Sequence, residues 1–212
     1  MEIYLIRHGK TYGNSLSRYI GVTDEPLCES GIEELKAIAV GEQYPRLSRV
    51  YTSDLKRTIE TAKILFPDAD RKIVNDLREC DFGEFENKNY KELDGNENYQ
   101  KWVDSNGELP FPGGESREDC LKRQVNAFFQ CIRELEAEKI DQAGFVVHGG
   151  TIMHIMEALC TINKKFYEWH VGNGAGYHVK ILKSQNNILN NKSAFIKGLL
   201  NSLEYQIELI QS

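Results

Sequence analysis

Short β-rich runs that stop at a polar cluster recur four times in this chain, and that pattern constrains the fold more than any other feature. Glu2-Ile-Tyr-Leu-Ile-Arg7 alternates in polarity and breaks at His8-Gly9. Arg49-Val-Tyr-Thr52 runs into Ser53–Arg57, Lys72-Ile-Val-Asn-Asp-Leu77 into Arg78-Glu79, and Gly144-Phe-Val-Val147 into the turn His148-Gly-Gly-Thr151. Between these runs the apolar residues fall at helical spacing. Ile32, Leu35, Ile38 and Ala39 predict a helix over 31–44, stopped by Pro45. Leu55, Ile59, Ala62 and Leu65 predict another, capped by Ser53 or Asp54 and ended by Pro67. Ser116 and Asp119 resemble a capping box opening a helix through Leu121, Val125, Phe128, Phe129 and Ile132; a further helix carries Ile155, Met156 and Leu159. Strands alternating with helices imply an α/β fold, a three-layer α/β/α sandwich on a mostly parallel central sheet. Open sheets of this kind hold ligands beyond their strand ends, where the polar clusters lie.

The chain reads as a single domain over 1–212 carrying a small insertion at 81–114. That insertion is polar and dotted with Phe82, Phe85, Tyr90, Tyr99, Trp102 and Phe111, a composition that suits either a cap of short helices over a pocket or a surface excursion with its own small core. Gly176–Ile181 reads as a last core strand, Ser184–Lys192 as a loop, Phe195–Leu200 as a helix and Glu204–Ile210 as a strand.

A net charge of -6 argues against broad nucleic-acid or anionic-membrane binding. The start shows neither a basic leader nor a long apolar segment, so a cytoplasmic protein is expected. Five cysteines are scattered without a C-x-x-C pair, which points to reduced thiols rather than a disulfide framework or zinc ribbon.

Two arginines, two histidines and a carboxylate at the strand ends make a phosphate-handling set. A phosphoryl group must be clamped by cations and passed to a nucleophile while its leaving oxygen gains a proton. Arginine's planar fork grips phosphate oxygens in pairs. A histidine attacks when its other ring nitrogen is held by a backbone carbonyl.

Leu5-Ile-Arg-His-Gly-Lys-Thr11 with Asn14 resembles the opening signature of the histidine phosphatase superfamily, the phosphoglycerate-mutase-like proteins. Arg18, Gly21, Asp24, Pro26, Leu27 and Gly31 continue its spacing. Tyr51–Thr58, Glu79 with Phe82-Gly83, Pro112–Ser116 and Val146–Gly150 resemble later blocks in order. The resemblance implies a phosphohistidine on His8 and a phosphate pocket of Arg7, Asn14, Arg57 and His148, with the Gly149 amide adding a hydrogen bond. It implies that Glu79 protonates the leaving group and then activates water. It also puts Arg18, Ile20 and Gly21 among the substrate contacts, although Arg18 read alone equally covers surface. No metal or cofactor is implied, and no H-E-x-x-H or Walker loop occurs.

The function implied is a metal-independent phosphomonoesterase acting on a small phosphorylated metabolite. A cofactor-dependent phosphoglycerate mutase is the alternative, and a non-catalytic phospho-ligand binding module a lesser one. A mutase needs extra cations for its substrate carboxylate, yet no Arg lies between Arg78 and Arg117. The segment Asp81–Glu86 with Tyr90 and Leu93 is similar to alpha-ribazole phosphatases, with Asn87 where Gly is usual. Lys10 departs from the residue common after R-H-G and adds positive potential. His154 reads as packing; His170 and His178 read as structural residues unless one faces the pocket; Cys80 reads as a small buried residue. A homodimer is left open.

Overall fold

The computed structural model describes residues 1–183 and 205–211. Its strands are β1 (Glu2–Arg7), β2 (Arg49–Thr52), β3 (Asp70–Ile73), β4 (Gln142–Val147), β5 (Gly176–Lys183) and β6 (Tyr205–Gln211). The helices are α1 (Tyr12–Ser15), α2 (Glu29–Val40), α3 (Lys56–Leu65), α4 (Glu97–Asp104), α5 (Arg117–Glu138) and α6 (Gly149–Leu159). One six-stranded sheet runs β3-β2-β4-β1-β5-β6. β1, β4, β2 and β3 are mutually parallel, whereas β5 is antiparallel to β1 and β6 to β5.

Side chains alternate across a strand, so each central strand feeds two cores. Ile3 and Leu5 of β1 join Phe145 and Val147 of β4 in a core shared with α5 and α6. Ile6, Val50 and Val146 point the other way, against Ala62 of α3 and Phe66. Helices therefore cover both faces of a mostly parallel sheet, as the alternating pattern predicts.

Three local expectations need correction. The strand expected over 72–77 is Asp70–Ile73, followed by a 3-10 turn at Asn75–Leu77. Among the described strands β3 pairs with β2 alone; their ladder ends at Thr52↔Ile73, and after one further bond, from the Val74 amide to the Thr52 carbonyl at 2.8 Å, the chain turns. Neither Ser53 nor Asp54 caps α3; Leu55 stands at its N-cap without a side-chain bond, and Asp24 Oδ1 accepts from the Lys56 amide at 2.8 Å instead. Ser53 turns to His148, and Asp54 pairs with Arg78. The helix expected over 31–44 is Glu29–Val40, ending at Gly41 rather than running up to Pro45. Ser116 does cap α5, accepting from the Asp119 amide at 3.0 Å.

The 81–114 segment folds as a 3-10 turn at Gly83–Phe85 and helix α4, around fully buried Phe85. Phe85 meets Tyr99, Trp102 and Phe111 edge-on, Tyr99 and Trp102 stack, Trp102 tilts on Phe111, and Tyr19 from the first loop joins them. The expected terminal strand is β6, while the loop and helix expected at 184–192 and 195–200 fall outside the described residues. No described helix is long and apolar enough to cross a membrane.

The reduced-thiol expectation fails for one pair: Cys80 and Cys120 form a disulfide, with Cα atoms 5.6 Å apart. They stand 40 positions apart, and the packing of α5 against the 3-10 turn at Asn75–Leu77 brings them together. Cys28, Cys131 and Cys160 take no part in that bridge.

Candidate active site

Three neighbouring parallel strands end side by side, at Arg7, Thr52 and Val147, so the residues just after them meet. His8 is nearly inaccessible, and its Nδ1 lies 2.7 Å from the Gly9 carbonyl. That carbonyl can only accept, so Nδ1 carries the proton and Nε2 keeps its lone pair. Burial holds His8 well below the ordinary histidine pKa, and Arg57 and Arg7 lower it further. Such a ring is neutral across the ordinary pH range and can attack phosphorus. The loop behind it is fixed: the Gly9 amide donates to Thr61 Oγ1 at 2.9 Å, and Asn173 Nδ2 donates to the His8 carbonyl at 3.0 Å and to Asn14 Oδ1 at 3.1 Å.

The cations are anchored from behind. Arg7 Nη1 donates to the Val171 carbonyl at 2.8 Å and lies 3.2 Å from His170 Nε2, while its Nε is buried with no partner. Arg57 is fully buried; its Nη1 donates to the Thr23 carbonyl and its Nη2 to the carbonyls of Ile20 and Gly21. Its Nε donates to His148 Nδ1 at 3.2 Å, which leaves His148 Nε2 to donate to Ser53 Oγ at 2.8 Å. Both ring nitrogens of His148 are thus engaged by protein, and its ring meets that of His8 edge-on at 5.3 Å. Burial, then Arg57, keeps His148 neutral as well.

Glu79 follows the 3-10 turn after β3. Its Oε2 accepts from the Gly150 amide in the first turn of α6 at 2.8 Å, and its Oε1 from the Cys80 amide at 3.0 Å. Burial raises its pKa, outweighing those two amides and the nearby Arg57 and Arg7. A buried carboxyl of this kind holds its proton to higher pH than usual and can deliver it.

The residues proposed from sequence divide into two groups. Arg7, His8, Arg57, Glu79, His148 and Gly149 converge, the Gly149 backbone lying against the Arg7 guanidinium, and Asn14 reaches the same loop through Asn173. Arg18 is committed elsewhere, with Nε and Nη2 on the two oxygens of Glu92 at 3.1 and 2.6 Å. Ile20 and Gly21 meet Arg57 through their carbonyls rather than through side chains. His170 faces the pocket beside Arg7, whereas His178 stacks on Tyr4 at 4.2 Å, away from the site. His154 is buried and bonded to Gln124.

Sequence reasoning missed Asn173, Thr61, Ser53 as a partner of His148, and above all Glu86. The Glu86 carboxylate accepts from the amides of Gly21, Val22 and Phe82 and from the Thr23 hydroxyl, clamping the loop whose carbonyls hold Arg57. Its only signal was a carboxylate inside a block already matched.

A cavity of about 210 Å³ opens beside this cluster, touching Arg7, Glu79, Gly149 and Gly150. Tyr19, Phe82, Trp102 and Phe111 wall it on the cap side, and Met153, Phe166 and Tyr167 on the other. Among the described residues, metal-ligating side chains gather in one group, Cys80, Cys120 and His154, of which Cys80 and His154 line the same cavity.

Known proteins resemble this chain in sequence and in fold. The chain is 32% identical over 138 residues to the probable phosphoglycerate mutase GpmB of Yersinia pestis (strain Pestoides F), a match covering 62% of this chain and 63% of that protein. The alpha-ribazole phosphatase structure from Shigella flexneri is 25% identical with a TM-score of 0.73, over 86% of this chain and 92% of that one. A phosphoglycerate mutase structure from Thermus thermophilus is 28% identical with a TM-score of 0.65, over 85% and 93%. The match to the curated relative spans less than two thirds of its length. The family model for the histidine phosphatase superfamily (branch 1) matches residues 3–192, and the chain belongs to that family.

Proposed function

We propose that this protein is a phosphomonoesterase that works through a phosphohistidine on His8. His8 Nε2 attacks phosphorus and the bond to the ester oxygen breaks, with Glu79 giving its proton to the departing oxygen. Glu79, now a carboxylate, takes a proton from water as that water attacks the phosphohistidine; inorganic phosphate leaves and both residues return to their starting states. Arg7, Arg57, the Asn14 amide and the Gly149 N–H neutralise the phosphoryl oxygens. His148 orients Arg57 from its place between Ser53 and that guanidinium.

The observation carrying this reading is that two groups with opposite needs share one site. His8 has its proton fixed on the non-attacking nitrogen, and Glu79 is a carboxyl whose burial favours the protonated form.

The cavity favours a phosphatase over a mutase. Its walls are largely aromatic, and the one cation that lines it beyond the phosphate end among the described residues, Arg117, is paired with Glu157 at 2.6 Å. That lining suits a flat or apolar leaving group, in the manner of the alpha-ribazole phosphatases this chain resembles, better than a phosphoglycerate carboxylate. The likeness to GpmB keeps the mutase as the second reading.

The test is phosphate release from p-nitrophenyl phosphate, 3-phosphoglycerate and a panel of sugar, nucleotide and aryl phosphates, with chelator, beside His8→Ala. Hydrolysis that His8→Ala abolishes is expected. Isomerisation of phosphoglycerate in the presence of bisphosphoglycerate, without hydrolysis, would move the chain to the mutase reading. Silence in both assays would leave a phospho-ligand binding module.

A further inference from the structure

We propose that, once the Cys80–Cys120 disulfide is reduced, Cys80, Cys120 and His154 form a thiolate–imidazole site for a soft divalent cation such as Zn²⁺. The ligand atoms of these three residues lie within 4.8 Å of one another, and all three side chains are buried. A tetrahedral zinc with sulfur at about 2.3 Å and nitrogen at about 2.0 Å spaces its ligands roughly 3.5 Å apart. Once the sulfurs are no longer bonded, shifts on the order of 1 Å reach that geometry.

His154 supplies the second, independent observation. Gln124 Nε2 donates to the Arg78 carbonyl at 2.8 Å, which turns Gln124 Oε1 toward His154 Nδ1, 2.7 Å away. Nδ1 therefore carries the proton, and Nε2 is left with a lone pair, buried and without any partner. A packing role alone leaves that acceptor unexplained, since buried polar atoms are ordinarily satisfied. An imidazole held at one nitrogen by an amide or carboxylate oxygen, with the other presented, is how protein zinc sites orient their histidines.

The surroundings fit the charge. Two thiolates balance a dication, and Arg123 Nη2, which donates to Cys120 Sγ at 3.7 Å, favours the thiolate there. Cys80 and His154 both line the cavity beside Glu79, which gives a cation its access and leaves a fourth coordination position on that side. Disulfide and metal exclude each other, so the site exists in one redox state only. A phosphine opens it: phosphorus takes oxygen from water to become the phosphine oxide, and the two sulfurs become thiols, which lose their protons on binding the metal. The proposal does not rest on the phosphatase reading, because its readout is optical.

The test is titration of the phosphine-reduced, desalted Cys28→Ser protein with Co²⁺ alone under argon; that background removes the half-exposed thiol. One Co²⁺ per chain is expected, with an intense thiolate-to-cobalt charge-transfer band that Zn²⁺ abolishes. The band should be absent from the oxidised protein of the same sequence, a control that needs no further variant. It should also be absent from Cys120→Ala, and His154→Gln should weaken binding by more than about 10-fold, the least that loss of even an outer-shell partner costs. Reduced protein without the band, or a band that survives in oxidised protein or in Cys120→Ala, overturns the proposal.

Discussion

The Gly150 amide donates to Glu79 Oε2 at 2.8 Å, and the two residues sit so close that a methyl group on Gly150 would overlap the carboxyl. The glycine is thus required by the carboxyl in front of it, not by its own backbone. Gly150→Ala should lower kcat for phosphomonoester hydrolysis by about 10- to 100-fold, the usual cost of misplacing a reacting group by about 1 Å. Thermal stability should change little, because the displaced atoms end a flexible side chain. Wild-type kcat in this variant would mean that Glu79 needs no fixed position.

The pH profile follows from opposite shifts. Burial lowers His8, so the nucleophile stays neutral well into acid; burial raises Glu79, so its proton survives above the ordinary carboxyl range. Rate should fall as pH rises through the Glu79 pKa and the leaving group loses its proton donor. An acidic-to-neutral optimum is expected, and Glu79→Gln should slow unactivated esters by about 10²- to 10⁴-fold, with p-nitrophenyl phosphate less affected. A rate climbing steadily into alkali would contradict the assignment.

His154 makes stability fall with acidification, as a salt-bridged carboxylate does, but in a higher pH window. Burial, with Arg117 and Arg123, lowers its pKa to about 3, so the unfolded chain binds a proton that the folded one refuses. Its contribution is complete above about pH 7 and is lost as pH falls below the unfolded value near 6.5, by about 2 kcal/mol at pH 5. His8 and His148 push the same way. Urea denaturation at pH 7 and pH 5 should show His154→Gln losing less stability on acidification than wild type; equal losses would remove His154 from the account.

Glu86 holds three amides and one hydroxyl at 2.7–3.1 Å through its two oxygens. Glu86→Ala leaves those donors short of acceptors, which should cost about 1–3 kcal/mol. Because the same loop holds Arg57, KM should rise while the pH profile stays put. An unchanged KM would separate the loop from phosphate binding.

The residues singled out from sequence converge in the structure, whereas little of what supports them was legible, for a physical reason. His8, Arg57, Glu79 and His148 each sit a few residues past a strand, and strand ends announce themselves locally through β-rich runs that break at polar residues. Their supports are joined across 165 residues at Asn173–His8, 65 at Glu86–Gly21 and 52 at Thr61–Gly9. No local pattern encodes such pairs. The same limit hid the Cys80–Cys120 bridge and the early end of β3, which was decided by the shortness of its neighbour β2. The described part of the fold was legible because alternation of strands and helices is itself local.

The stretch Ile20–Thr23 is gripped on both sides, its carbonyls by Arg57 and its amides by Glu86. Inserting or deleting one residue there would slip every donor off its acceptor, so the length of this loop is frozen even where its side chains are free to drift. Around Trp102 and Phe111 the backbone bonds instead to chain close by in sequence, the Gly107 amide to the Trp102 carbonyl and Phe111 to Glu115 and Gly114. Diversification within this architecture is thereby channelled: the wall at 97–111 can be remodelled, while the loop at 20–23 is inherited at fixed length.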